Sequence, residues 1–301
     1  MKQFSDFRNT LIILVLLTGF FASFPCAAAV FTLPPGPPPP SGNVTAGDTV
    51  NILPGGSASN LFVFPGGIVN QTGGSSTFTA FRGFGQFDGG TAARASAGAF
   101  PLSGGTLNAN GVSIVNLLLS NDATLNITAD GLGFGPSFQT VAINSGTVNH
   151  SAGTVVGRIG VFNSSGQSAV LNQSGGFVDE VNVSGTDSIF NFSGGGIGNL
   201  LVLNGQAVVN FIGTDFTLGG SPLGASLAPG DRLVVSDRTQ VLETTFLDGS
   251  TFSFDLSSSA SNSLILSPDA EVAIVAVPEP SASLLVGPCL IALAGRRRRR
   301  A

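Results

Sequence analysis

The chain has 301 residues, with twelve Lys/Arg against seventeen Asp/Glu, a formal net charge of −5, one His and neither Trp nor Tyr. Between residues 30 and 277 it keeps five arginines (Arg82, Arg94, Arg158, Arg232, Arg238), no lysine and fifteen of the acids, a net charge of about −10. That balance excludes a nucleic-acid partner, which needs clustered Lys/Arg to neutralise phosphates, and leaves few side chains from which to build an active site.

Residues 1–29 read as a secretory signal peptide. Lys2 and Arg8 precede an apolar run from Leu11 to Phe21, which is expected as a signal helix, and Cys26-Ala27-Ala28-Ala29 supplies small residues for cleavage after Ala29. A lipoprotein reading through Cys26 fails, because Ser23-Phe24-Pro25 puts a bulky residue and a proline where small ones are required. Residues 30–68 read as a Pro-rich lead and N-terminal cap, with Phe31 to Pro40 as an extended linker.

From 69 to 213 a short phrase recurs: an apolar residue, Asn, any residue, then a small or hydroxyl residue with Gly nearby. It reads V-N-Q-T-G-G from Val69, L-N-A-N-G from Leu107, L-N-I-T-A-D-G from Leu125 and V-N-H-S-A-G from Val148. It returns as L-N-Q-S-G-G from Leu171, F-N-F-S-G-G-G from Phe190 and V-N-F-I-G from Val209, and F-D-G-G from Phe87 stands where another copy is due. Successive starts are 18 to 23 residues apart. Between them lie alternating stretches such as Val181-Asn182-Val183, which read as half-buried strands separated by Gly-Gly, Asn-Gly and Ser-Gly turns.

A period near 20 built from short strands with glycine corners suits one coil of a parallel β-helix, or β-solenoid. One coil cannot bury its apolar face; stacked coils can. The expected fold is therefore all-β, a β-solenoid with a β-rich C-terminal cap, flanked by the signal helix and a C-terminal transmembrane helix. Stacking also assigns a role to Asn70, Asn108, Asn126, Asn149, Asn172, Asn191 and Asn210, which are expected to form a hydrogen-bonded ladder along one column. An antiparallel sandwich or barrel is the competing architecture, since short strands with regular turns serve both.

Residues 214–277 change texture and read as the cap over the last coil. Thr251-Phe252-Ser253-Phe254-Asp255-Leu256, just after Asp248-Gly249, has the alternation of a hairpin arm.

Residues 278–301 combine Pro278-Glu279-Pro280, an apolar stretch from Leu284 to Ala294, and the cluster Arg296, Arg297, Arg298, Arg299 and Arg300. The three features in this order resemble the PEP-CTERM sorting signal of exported bacterial proteins. The resemblance implies recognition by a membrane-embedded exosortase-type enzyme, cleavage near Pro278-Glu279-Pro280, and delivery to the cell envelope, cell surface or extracellular matrix. The apolar stretch is expected as a membrane-anchoring helix, with the arginines holding its far end cytoplasmic by the positive-inside rule. Cys26 and Cys289 both fall in these terminal segments, so residues 30–277 offer no disulfide, thiolate nucleophile or cysteine metal ligand.

No catalytic residue, cofactor or metal site is expected. Asp179 and Glu180 are adjacent and would face opposite sides of a strand, and Asp130, Asp179 and Asp187 could meet only if coils aligned them. His150 is expected at a surface or corner, and Gly83-Phe84-Gly85-Gln86-Phe87-Asp88 lacks the register of calcium-binding nonapeptides. The functional expectation is a structural or interaction protein of the envelope or extracellular matrix. An exopolysaccharide-binding or exopolysaccharide-cleaving module and an adhesin are the alternatives, with exopolysaccharide as the candidate partner.

Overall fold

The computed structural model describes residues 28–34, 42–94, 100–110, 114, 116–129, 140–163, 166–202, 206–223, 227–257, 264–267 and 269–277. They form a right-through β-solenoid in which parallel strands stack coil on coil. This decides against the sandwich and barrel, whose sheets are antiparallel.

The first column holds eleven rungs among the described residues. It starts at Val30–Leu33 and Thr49–Ile52, passes through 68–71, 84–87, 106–110, 123–127, 146–150, 169–173, 188–192 and 208–213, and ends at Glu271–Ala276. At about 4.8 Å per rung the column is roughly 48 Å long. A second column runs alongside through 43–44, 61–63, 80–81, 100–103, 116–120, 140–143, 158–162, 180–184, 199–202 and 264–266. Shorter pairings such as Val155 with Val178 and Val178 with Ile197 make a third face on some coils. The register thus begins two rungs ahead of residue 69, within the stretch read from sequence as a lead and cap.

Alternation explains the core. In the first column Val50, Val69, Leu107, Leu125, Val148, Leu171, Phe190, Val209 and Val272 share one register position and are all buried. In the second, Val44, Val63, Phe81, Leu102, Leu119, Ile143, Val161 and Val183 do the same. Each such side chain contributes about 1.5–3 kcal/mol by leaving water, so stacking supplies what an isolated coil lacks. Corners demand tight backbone. Gly146 has φ +111°, and a Cβ there would lie 2.2 Å from the carbonyl oxygen of Ala123. Only glycine fits both conditions.

The C-terminal region is an insertion inside the last coil rather than a lid placed after it. Beyond Val208–Gly213 the chain builds an antiparallel sheet ordered Ser221–Pro222, Asp215–Leu218, Val241–Thr245, Thr251–Asp255. It then returns, placing Leu264–Leu266 on 200–202 and Glu271–Ala276 on Val208–Gly213. Arg232–Val234 lies antiparallel on Glu271–Ala276 and covers the edge of the final rung. Phe192, Phe211, Phe252 and Phe254 meet beneath this sheet, with Phe211 and Phe254 centroids 4.5 Å apart, sealing the end of the core.

Two expected elements require correction. Among the described residues there is no helix of any kind, and none long and apolar enough to cross a membrane. The fold of the described residues is all-β with neither the signal helix nor the transmembrane helix among them, and the membrane anchoring, the membrane-embedded exosortase partner and the surface localisation that depended on the latter are withdrawn. Most of both segments, 1–27 and 278–301, lies outside the described residues. Where the chain is described it is extended: Ala28 and Ala29 lead into Val30–Leu33, and Val277 follows the last strand, its N–H donating to Gly213 O at 2.9 Å. Pairing with neighbouring rungs holds the bordering residues extended, which leaves no helix where the chain is described.

Candidate functional site

The asparagines occupy the outward position of the first column, between its two inward positions. Asn70 donates its side-chain amide to Asn51, Asn108 to Gln86, Asn126 to Asn108, Asn149 to Asn126, Asn172 to Asn149, Asn191 to Asn172, and Asn210 to Asn191, at 2.7 to 3.1 Å. Each is half-buried, and the Oδ1 atoms of Asn51, Asn108, Asn126, Asn149, Asn172 and Asn191 accept from the next rung. Between Asn70 and Asn108 the rung carries Gln86, whose amide turns to Asp88 at 2.7 Å.

Sequence reading missed two members of this array. Asn51 sits in V-N-I-L-P-G-G, which fits the recurrent phrase but falls in the stretch that reads as a Pro-rich lead and cap. The copy placed at Phe87 in fact starts at Gly85, because Gly85-Gln86-Phe87 is in register with Val69-Asn70-Gln71. Its Gln hides the pattern.

The interior is not wholly apolar. Gln71, His150 and Gln173 occupy the second inward position of the first column and are fully buried. This corrects the surface placement of His150: alternation turns it inward, two residues after Val148. Its Nε2 meets Gly153 O at 3.2 Å, while Nδ1 has no hydrogen-bond partner. Burial lowers its pKa below the ordinary value, against the opposing pull of backbone carbonyls at Gly153 and Ala152. Gln71 is held from both sides, accepting from Ser76 Oγ at 2.6 Å and donating to Thr91 O at 3.1 Å.

Asp179 is exposed, Glu180 pairs with Arg158 on the preceding rung, Asp187 occupies a corner with φ +61°, and Asp130 lies outside the described residues. Among the described residues no group of three or more His, Cys, Asp or Glu is placed to hold a metal ion. At the N-terminal end Asp48 accepts from the Thr45 hydroxyl at 2.5 Å, the Thr45 N–H at 2.9 Å and the Ala29 N–H at 3.0 Å. Those bonds, the Thr45 hydroxyl foremost, lower its pKa and tie the first rung to the second. Pro278, Glu279, Pro280 and Arg296 to Arg300 lie outside the described residues.

The cap sheet carries a depression of about 310 Å³ on its outer face. Register places Asp215, Thr245 and Thr251 in one cross-strand row, and Thr217, Glu243 and Ser253 in the next. Thr217 donates its hydroxyl to Glu243 at 2.9 Å. Two carboxylates and four hydroxyls on an open floor can accept and donate hydrogen bonds to a polyhydroxylated ligand. No family model, no curated protein and no solved structure matches this chain.

Proposed function

We propose that this protein is a β-solenoid structural module that binds polysaccharide, and that it acts by binding rather than by catalysis. The observation that carries the reading is the cap depression: its hydroxyls and carboxylates present the mixed donors and acceptors that sugar hydroxyls require, on a rigid sheet anchored to the last coil. The stacked column supports the structural half, since a rod of like rungs holds that face at a fixed distance from its other end. The burial of His150 and the pairing of Glu180 with Arg158 support a non-catalytic role. A glycan array tests it. Binding to neutral glycans that falls on Glu243→Ala and Ser253→Ala supports the reading; an array without hits, or hydrolysis of a bound polymer, overturns it.

The segment at Pro278-Glu279-Pro280 is proposed, on its sequence resemblance alone, as a sorting-type processing signal. Mass spectrometry of the native C-terminus tests this: a terminus near Pro278 supports it and an intact Ala301 sinks it.

A further inference from the structure

The outward face of the second column is small or polar at most rungs, with Leu118 and Phe162 as scattered exceptions, and on two neighbouring coils aromatic and cationic groups gather. Phe62 and Phe64 stand on one rung with ring centroids 4.6 Å apart and planes 35° from parallel. Phe64 is 36% exposed, and Phe84, at the adjoining corner, is 40% exposed. On the next rung Arg82 is exposed, its guanidinium carbon 6.0 Å from the Phe62 centroid. Ala80 is the register partner of Phe62, and its small side chain leaves that ring open to the arginine. One residue past the paired Phe81 and Leu102, where Arg82 stands, the following rungs carry Ser103 and Ser120. Phe162 returns a ring at this register further along, but on a coil whose arginine, Arg158, is taken by Glu180, so rings beside a guanidinium without a carboxylate are particular to this place among the described residues.

Charge singles out the same spot. Arg158 pairs with Glu180, Arg232 pairs with Glu271, and Arg238 donates to the Ser267 carbonyl at 3.1 Å. Arg82 has no carboxylate partner among the described residues. Between Asp48 and Asp122 the chain contains one acid, Asp88, against Arg82 and Arg94, so this stretch carries no net negative charge in an acidic protein. The ring face leaves the planar guanidinium fork unused, and that fork matches a carboxylate bidentately.

Backbone pairing decides between a peptide and a sugar. The N–H of Phe62 donates to Gly42 O, that of Phe64 to Val44 O, and that of Arg82 to Val63 O, all at 2.9 Å. No strand edge is left there for an extended peptide to pair with. What remains is a shallow aromatic platform beside one cation. The geometry points to a binding site for a carboxylate-bearing sugar: Phe62, Phe64 and Phe84 pack against the C–H face of a pyranose ring, while Arg82 takes the carboxylate of a uronic acid residue in an acidic polysaccharide. This inference rests on the polysaccharide-binding reading but places a second, acid-specific subsite on coils remote from the cap.

Native gel retardation by polymers cast into the gel tests it, with polygalacturonate, dextran and polyglutamate as probes. Polygalacturonate is expected to retard the protein; Arg82→Gln and Phe64→Ala each weaken that binding about tenfold, the scale of one charge-assisted contact. Circular dichroism and melting checks that both surface variants remain folded. Equal retardation by polyglutamate, or retardation by polygalacturonate that survives Arg82→Gln, overturns the site. Binding to dextran but not polygalacturonate removes this site alone; binding to no polymer removes it together with the cap reading.

Discussion

Arg232 donates through Nε to Asn210 Oδ1 at 3.3 Å, and its Nη2 pairs with Glu271 on the final rung. The last acceptor of the asparagine column is thereby satisfied where the next rung offers Ala273 instead of another amide. A single arginine from the inserted segment both ends the polar column and ties the covering strand to the rung it protects.

The ladder is expected to be worth more in its middle than at its end. Asn172 donates to Asn149 and accepts from Asn191, both at 2.8 Å. Asn172→Ala removes both bonds and leaves two half-buried partners unsatisfied, a cost of about 1–3 kcal/mol. Arg232→Met severs more exposed contacts, for which about 1 kcal/mol or less is expected. Urea unfolding of both variants checks the order; equal losses would deny the column a cooperative role.

His150 should make the protein acid-sensitive. Its folded pKa lies below the ordinary 6.5, so the unfolded chain binds more protons once pH falls below about 6.5. Stability is therefore lost as pH drops from 6.5 toward the folded value, and is flat above that range for this group. His150→Gln uses the residue that Gln71 and Gln173 already place at the same register. Melting temperatures between pH 8 and 5 should fall further for the natural protein than for the variant.

Asp48 should act at lower pH. Its folded pKa lies below the usual 3.8, so the stability it contributes is present above 3.8 and is lost as pH falls through the folded value. Asp48→Ala frees the amides of Ala29 and Thr45. Hydrogen exchange at Ala29 should quicken at neutral pH, and the difference from the natural protein should vanish in strong acid.

Much of the architecture is readable before any coordinates, because its signals are local. Leu125-Asn126-Ile127 and Leu171-Asn172-Gln173 each show an inward, outward, inward alternation whose recurrence implies stacking. The same alternation, applied strictly, also turns His150 inward; treating it as a corner residue ignored its neighbours. Gln86 is harder to see, since it keeps the hydrogen-bonding capacity of asparagine but not its name.

Local pattern determined the strands, the corners and the amide phrase, since period-two alternation and the backbone freedom of glycine act within a few residues. The tertiary structure alone decided that Glu271–Ala276 is the eleventh rung, because it carries no asparagine and stacks on a strand about sixty residues earlier. It alone decided, too, that Arg82 lies across Phe62. That contact depends on the register of two coils, and register between coils is set by how distant side chains pack together.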